Sequence, residues 1–239
     1  MDKRFAGKVA IVAGGTGGLG RAVTLAFLGE GAKVATPYWV EEEWASLQKA
    51  APGYAGSLTG QRVDVTDVAA VQRFVEQAVA QHGGVDVLVN TVGGYAGGVN
   101  LWDMDVAVLE KMVALNLRSS YALACAVAPV MLRQKRGAMV NIAAKAAWDH
   151  AAGASAYVAS KAAALALMDS LAADLKGTGV RVNSILPSII DTEANRKAMP
   201  GANFAKWPKP EEIARVILFL CSDDAKVVHG AAVPVFGES

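Results

Sequence analysis

Cysteine and histidine are scarce in this chain: of 239 residues only Cys125, Cys221, His82, His150 and His229 are of these types. No two of them stand at metal-ligand spacing, so neither a disulfide framework nor a structural metal site is expected. Both cysteines sit in apolar helical patterns and read as small buried hydrophobes, while the histidines read as isolated loop or surface residues. Neither sign of charge dominates. The 23 basic and 22 acidic residues leave a net charge of +1, which argues against a broad nucleic-acid surface, since phosphate binding needs clustered positive charge. Gly, Pro or charge interrupts the apolar stretches before about 18–20 residues, the length of a membrane span, and no membrane partner is expected. Residues 1–8, MDKRFAGK, show neither an apolar leader core nor a small-residue cleavage site. A reducing cytoplasm fits these absences. Charge is also sparse, 19% against 53% hydrophobic residues, so the chain can bury enough apolar surface to fold as one domain.

What is present is an alternation of short apolar runs with longer helical patterns. Strands are expected at 9–13, 33–38, 61–65, 86–90, 138–142, 180–186 and 231–235. Helices are expected at 19–30, 41–50, 67–81 (capped by Asp67), 105–133, 155–176 and 210–221. The strands are apolar on both faces, as they are when helices cover both sides of a sheet. The expected fold class is therefore α/β, a Rossmann-type doubly wound parallel sheet in a single domain. No repeat and no interdomain linker interrupts it. The irregular stretch 188–209 is too long for an idle connection and is a candidate substrate lid.

Between the first strand and its helix lies Ala13-Gly14-Gly15-Thr16-Gly17-Gly18-Leu19-Gly20. Glycines here allow a sharp turn and let backbone N–H groups approach a pyrophosphate at the positive end of the following helix. The context, strand before and helix after, points to a dinucleotide. Tyr157 and Lys161 lie four residues apart on an expected helix and so share a face. A free phenol ionises near pH ~10, and a neighbouring ammonium is expected to draw it toward the working range.

The spacing Gly14-x-x-x-Gly18-x-Gly20 resembles the glycine motif of short-chain dehydrogenases/reductases. Further segments carry the resemblance across nearly the whole chain: Asp64-Val65, Asn90-Thr91-Val92-Gly93, Asn116-Leu117-Arg118, Tyr157-Val158-Ala159-Ser160-Lys161, and Pro187 with Ile190 and Thr192 beyond it. The resemblance implies an NAD(H)- or NADP(H)-dependent oxidoreductase acting on a small molecule. Tyr157 would be its general acid/base, Lys161 would hold the nicotinamide ribose, and Asn116 would support a proton-relay water. Gly14, Thr16, Gly18, Leu19, Gly20, Tyr38, Asp64, Val65, Asn90, Gly93, Pro187, Ile190 and Thr192 would join Tyr157 and Lys161 in holding the cofactor.

One member of that set is missing. The family usually has a serine thirteen residues before the tyrosine, and here that position is Ala144, which offers no donor. Ser155 is nearer in sequence but faces elsewhere on a helix. Ala144-Lys145-Ala146-Ala147-Trp148-Asp149 resembles the serine-less segment of dihydropteridine reductases. Gly93-Gly94-Tyr95-Ala96-Gly97-Gly98 resembles their aromatic-centred glycine loop, and the stretches at 186–200 and 204–207 resemble their lid. A quinonoid pterin spreads incoming charge through its ring, so a localised oxyanion donor matters less. Tyr95 and Trp148 are candidate stacking faces. Two other readings stay open: a ketone or alcohol oxidoreductase with a modified site, and a dinucleotide-sensing protein without turnover.

An NAD-preferring site usually places an acid at the end of the second strand. Here Tyr38 occupies that position, and no Arg or Lys follows to grip a 2′-phosphate. Arg21 reads as a solvated helix-start residue. Glu41, Glu42 and Glu43 would repel that phosphate, which tilts the expectation toward NAD(H). The helices at 105–133 and 155–176 are apolar over more face than one sheet contact uses. The resemblance implies that they form a homodimer or homotetramer.

Overall fold

The computed structural model describes residues 3–238. Strands β1 (Val9–Ala13), β2 (Lys33–Tyr38), β3 (Leu58–Arg62), β4 (Val87–Asn90), β5 (Gly137–Ile142), β6 (Val180–Pro187) and β7 (Ala232–Val235) form one sheet in the order β3-β2-β1-β4-β5-β6-β7. Every pairing is parallel. Helices α1 (Gly18–Gly29), α2 (Glu41–Ala50), α3 (Val68–His82), α4 (Val106–Met112), α5 (Ser119–Gln134), α6 (Ser155–Asp174), α7 (Glu193–Ala198) and α8 (Pro210–Cys221) complete the chain. The strand order reverses between β1 and β4, and in such sheets that crevice receives the ligand.

The two-residue period of a strand decides which layer each side chain joins. On β1, Ala10 and Val12 enter the core with Val23, Phe27, Ile213 and Ile217 of α1 and α8. Ile11 and Ala13 enter the opposite core with Phe74, Leu123 and Met131 of α3 and α5. All five residues of β1 are therefore buried, which is why it reads as a continuous apolar run.

Several expectations need correction. The third strand lies at Leu58–Arg62 rather than 61–65, because its register with β2 pairs Val34 with Leu58 and Tyr38 with Arg62. Asp64 already belongs to the turn beyond, accepting from the backbone and hydroxyl of Thr66. The helix at 105–133 is not uniform: Val113–Arg118 is wound as a π-helical turn. Cys125 is exposed, and only Cys221 is buried. His229 lies in the loop before β7, as expected, and is half-buried there: its Nδ1 accepts from the Val182 amide at 3.1 Å and its Nε2 reaches the Ala172 carbonyl at 2.8 Å, tying β6 to α6. His82 ends α3 and is partly buried, its Nε2 3.5 Å from the Thr59 hydroxyl; His150 is exposed, as expected. Asp67 caps α3 as expected, accepting from Ala69 and Ala70.

Candidate active site

The turn after β1 needs glycine for three separate reasons. Gly14 has φ +73°, a conformation that side chains disfavour. A methyl group at Gly20 would overlap the Gly14 carbonyl, so α1 can meet the turn this closely only without one. At Gly18 a methyl would lie 2.9 Å from Cγ2 of Thr192, so the segment after β6 rests on the glycine turn. Gly17 begins α1 with no side-chain cap, and no acid stands in its first turn. Free N–H groups at an uncapped helix start suit a pyrophosphate, so the residues present fit a dinucleotide.

Beside this turn runs a groove of about 530 Å³ whose lining includes Gly14, Thr16, Tyr38, Asp64, Val65 and Gly93. Six residues assigned from the sequence thus meet in one place. Glu43 also lines it, accepting a 2.8 Å hydrogen bond from the Thr16 hydroxyl. The sequence places Glu43 only near the cofactor's 2′ side; its contact with Thr16, 27 residues away, is set by the fold. The Tyr38 hydroxyl donates to Glu41 at 3.1 Å and its ring stacks on Trp44. Arg21 is not simply solvated, since its guanidinium donates to Ser46 on α2 at 2.8 Å.

Other assigned residues stand behind the groove. The Leu19 side chain is buried in the core, which leaves only its backbone for the cofactor. Asn90 is buried too, its amide donating to Ser120 and Asn141 while its carbonyl oxygen accepts from the Val92 amide at 3.1 Å. It holds the turn leading to Gly93. Pro187 closes β6, Ile190 packs partly on the core, and Thr192 caps α7 by accepting from Asn195.

Lys161 and Asn116 meet at Gly93, and Tyr157 packs against Tyr95 of the same loop. Lys161 is buried and donates to the Ile142 carbonyl at the end of β5, 2.8 Å away. Asn116 sits in the π-helical turn, a form often found at functional sites. Its Oδ1 accepts from the Gly94 amide at 2.9 Å, and its Nδ2 donates to the Gly94 carbonyl and the Ser160 hydroxyl. A methyl at Gly93 would come within 2.9 Å of both Asn116 Oδ1 and Lys161 Nζ, which fixes glycine there.

Burial lowers the Lys161 pKa to about 8. The Tyr157 phenol is pushed up to about 12, first by burial and then by the nearby Tyr95. That is opposite to the direction expected from the lysine. The low-dielectric surroundings disfavour the phenolate, and the ammonium is directed at the Ile142 carbonyl.

Ala144 is 5% exposed and presents only a methyl. Tyr95 stands edge-on to Tyr157, ring centroids 4.9 Å apart at 69°, and is 71% exposed. Trp148 is also exposed but makes no ring contact with either tyrosine among the described residues.

A parallel sheet reversing at β1/β4, with a glycine turn there and a Tyr–Lys pair on the far side of the crevice, defines a Rossmann-type nucleotide-dependent oxidoreductase. Comparison with known proteins narrows that class. The short chain dehydrogenase family profile matches residues 8–203, and this chain belongs to that family. It is 32% identical to 3-oxoacyl-[acyl-carrier-protein] reductase of Thermotoga maritima, covering 98% of each chain. It is 34% identical to D-threitol dehydrogenase of Mycolicibacterium smegmatis, covering 99% of this chain and 94% of that protein. Among solved structures it resembles levodione reductase, with a TM-score of 0.90, 28% identity and 98% coverage of both chains. The protein is an NAD(P)-dependent oxidoreductase.

Proposed function

We propose that this enzyme uses NADH to reduce a planar, conjugated acceptor of the quinonoid dihydropterin type. The observation that carries this reading is Ala144: it offers no donor, while Lys161 and Asn116 meet at Gly93 and Tyr157 stands against Tyr95 of the same loop. A delocalised acceptor has least need of a localised oxyanion donor. When bound, the reduced nicotinamide supplies a hydride. Tyr157 donates the accompanying proton from its hydroxyl to a ring nitrogen or exocyclic group. Lys161 holds the nicotinamide ribose. Asn116, anchored on Gly94 and Ser160, supports the water through which Tyr157 is reprotonated. The segment at 188–209 closes over the substrate, and exposed Tyr95 and Trp148 offer faces for a flat ring.

Glu43 supports the NADH preference. Its carboxylate lies at Thr16 inside the groove, where it accepts from ribose hydroxyls and repels a 2′-phosphate. The enzyme works in the cytoplasm as a homodimer or homotetramer built on α4–α5 and α6, with no nucleic-acid or membrane partner.

A turnover panel tests the substrate reading: NADH and NADPH against quinonoid dihydropterin, simple ketones and quinones. Efficient ketone reduction with no turnover of the dihydropterin overturns it. That outcome belongs to the second reading, a ketone or alcohol oxidoreductase with a modified site, which the names of the curated relatives favour.

A further inference from the structure

Removing a serine from a reductase site leaves a question of where the substrate's acceptor atom finds its second donor. Negative charge develops on that atom as the hydride arrives, and a well-placed donor there commonly changes kcat by about 10²–10³-fold. Ala144 cannot supply one. Two nearby side chains with a donor are otherwise engaged. The Ser160 hydroxyl donates to the Tyr157 carbonyl at 2.8 Å. Lys145 pairs with Asp149 at 3.6 Å and lies over the Phe236 ring. Ser155 keeps a buried hydroxyl without a hydrogen-bond partner, but it is two positions from Tyr157 on α6 and so faces another way.

We propose that Tyr95 supplies this donor, its hydroxyl holding the acceptor atom beside Tyr157. The inference rests on the reading of Tyr157 as proton donor. Three observations carry it. The edge-on contact at 4.9 Å sets a second phenol against the first. The residue before Tyr95 is pinned at both backbone groups, since Asn116 accepts from the Gly94 amide and donates to the Gly94 carbonyl. The same asparagine therefore fixes the catalytic cluster and aims the tyrosine. Finally, a methyl at Gly97 would overlap the Tyr95 hydroxyl, so the loop is shaped around that oxygen. At 71% exposure Tyr95 is open to an incoming ligand. Two neighbouring phenols suit an acceptor with two adjacent lone-pair sites, such as a ring nitrogen beside a carbonyl oxygen in a fused heterocycle.

The test is a double-mutant cycle on Tyr95→Phe and Ala144→Ser, with the best acceptor from the turnover panel and saturating NADH. Tyr95→Phe keeps the ring and, being exposed, leaves the fold intact. It is expected to lower kcat/KM about 10–100-fold, with NADH affinity by calorimetry unchanged. Ala144→Ser is expected to recover more activity in the Tyr95→Phe background than it adds to the parent enzyme. Retained activity in Tyr95→Phe overturns the proposal, as does an equal effect of Ala144→Ser in both backgrounds. A second measurement needs no substrate: tyrosinate absorbance at pH 11 of the parent and of Tyr95→Phe, each taken as the difference from the same protein carrying Tyr157→Phe as well. Loss of the Tyr95 hydroxyl should make Tyr157 more ionised there; no change removes Tyr95 from the site and sinks the proposal. An enzyme inactive on every acceptor counts against the proposed function, while this titration still decides the position of Tyr95.

Discussion

A lysine enclosed on all sides carries a measurable signature. Lys161 in the folded protein releases its proton near pH 8, whereas in the unfolded chain it holds it to about 10.5. Between those values the unfolded state binds more protons, so stability rises with pH across that window, by on the order of 3 kcal/mol for this residue alone. Urea midpoints of the cofactor-free protein at pH 7.5 and 9.5, compared with those of Lys161→Met, isolate the effect. The variant should lack this rise. The comparison is necessary because the buried Cys221 thiol, raised to about 12, acts in the opposite direction. Tyr157→Phe removes only a hydroxyl from a half-buried ring. It should leave NADH binding intact and lower kcat about 10²–10⁴-fold, the usual loss of a general acid. Full activity in that variant would remove Tyr157 from the proton-transfer role.

At the scale of the element, neighbouring glycines are not equivalent. Gly17 has ordinary extended dihedrals, and a methyl there meets nothing closer than 3.5 Å. Gly20 has no room for one. Gly17→Ala should therefore bind NADH within a few-fold of the parent, and Gly20→Ala should weaken binding by at least tenfold by calorimetry. Equal effects would show that the close approach of α1 to the turn is unimportant. The splice between β6 and α6 gives a second element-level prediction. His229→Ala leaves the Val182 amide and the Ala172 carbonyl without their partner, and unsatisfied buried groups cost about 1–3 kcal/mol each. A loss of about 2 kcal/mol in urea denaturation is expected, with the turnover of the remaining folded enzyme unaltered.

For the whole molecule, the long helices raise the question of what covers them. The stretches Val106–Gln134 and Ser155–Asp174 are each long and apolar enough, by length and composition, to cross a membrane, contrary to the expectation that charge and glycine interrupt every such run. They are nonetheless packed in the fold, α5 against α3 and α6 against β6, and they carry the buried polar residues Asn116 and Lys161. On their outer side Leu109, Tyr121 and Leu132 remain exposed. The proposed assembly covers them. Sedimentation should give a dimer or tetramer, and Tyr121→Glu should shift it toward monomer. A monomeric parent protein at micromolar concentration would exclude that assembly.

Much of this was legible in the chain because it depends on local order. The two-sided apolar strands, the glycine turn between strand and helix, and the four-residue interval from Tyr157 to Lys161 are statements about neighbours. Steric limits and helical periodicity act over such distances without help from the rest of the molecule. The register of β3, set by pairing with β2, was not legible, and neither was the structural use of Asn90 or His229. Only the tertiary structure brought Glu43 to Thr16 across 27 residues and Tyr95 to Tyr157 across the site. The sign of the Tyr157 shift was decided there too. Spacing tells that an ammonium is near a phenol, but how much water surrounds them, and which carbonyl the ammonium faces, are properties of the packed interior alone.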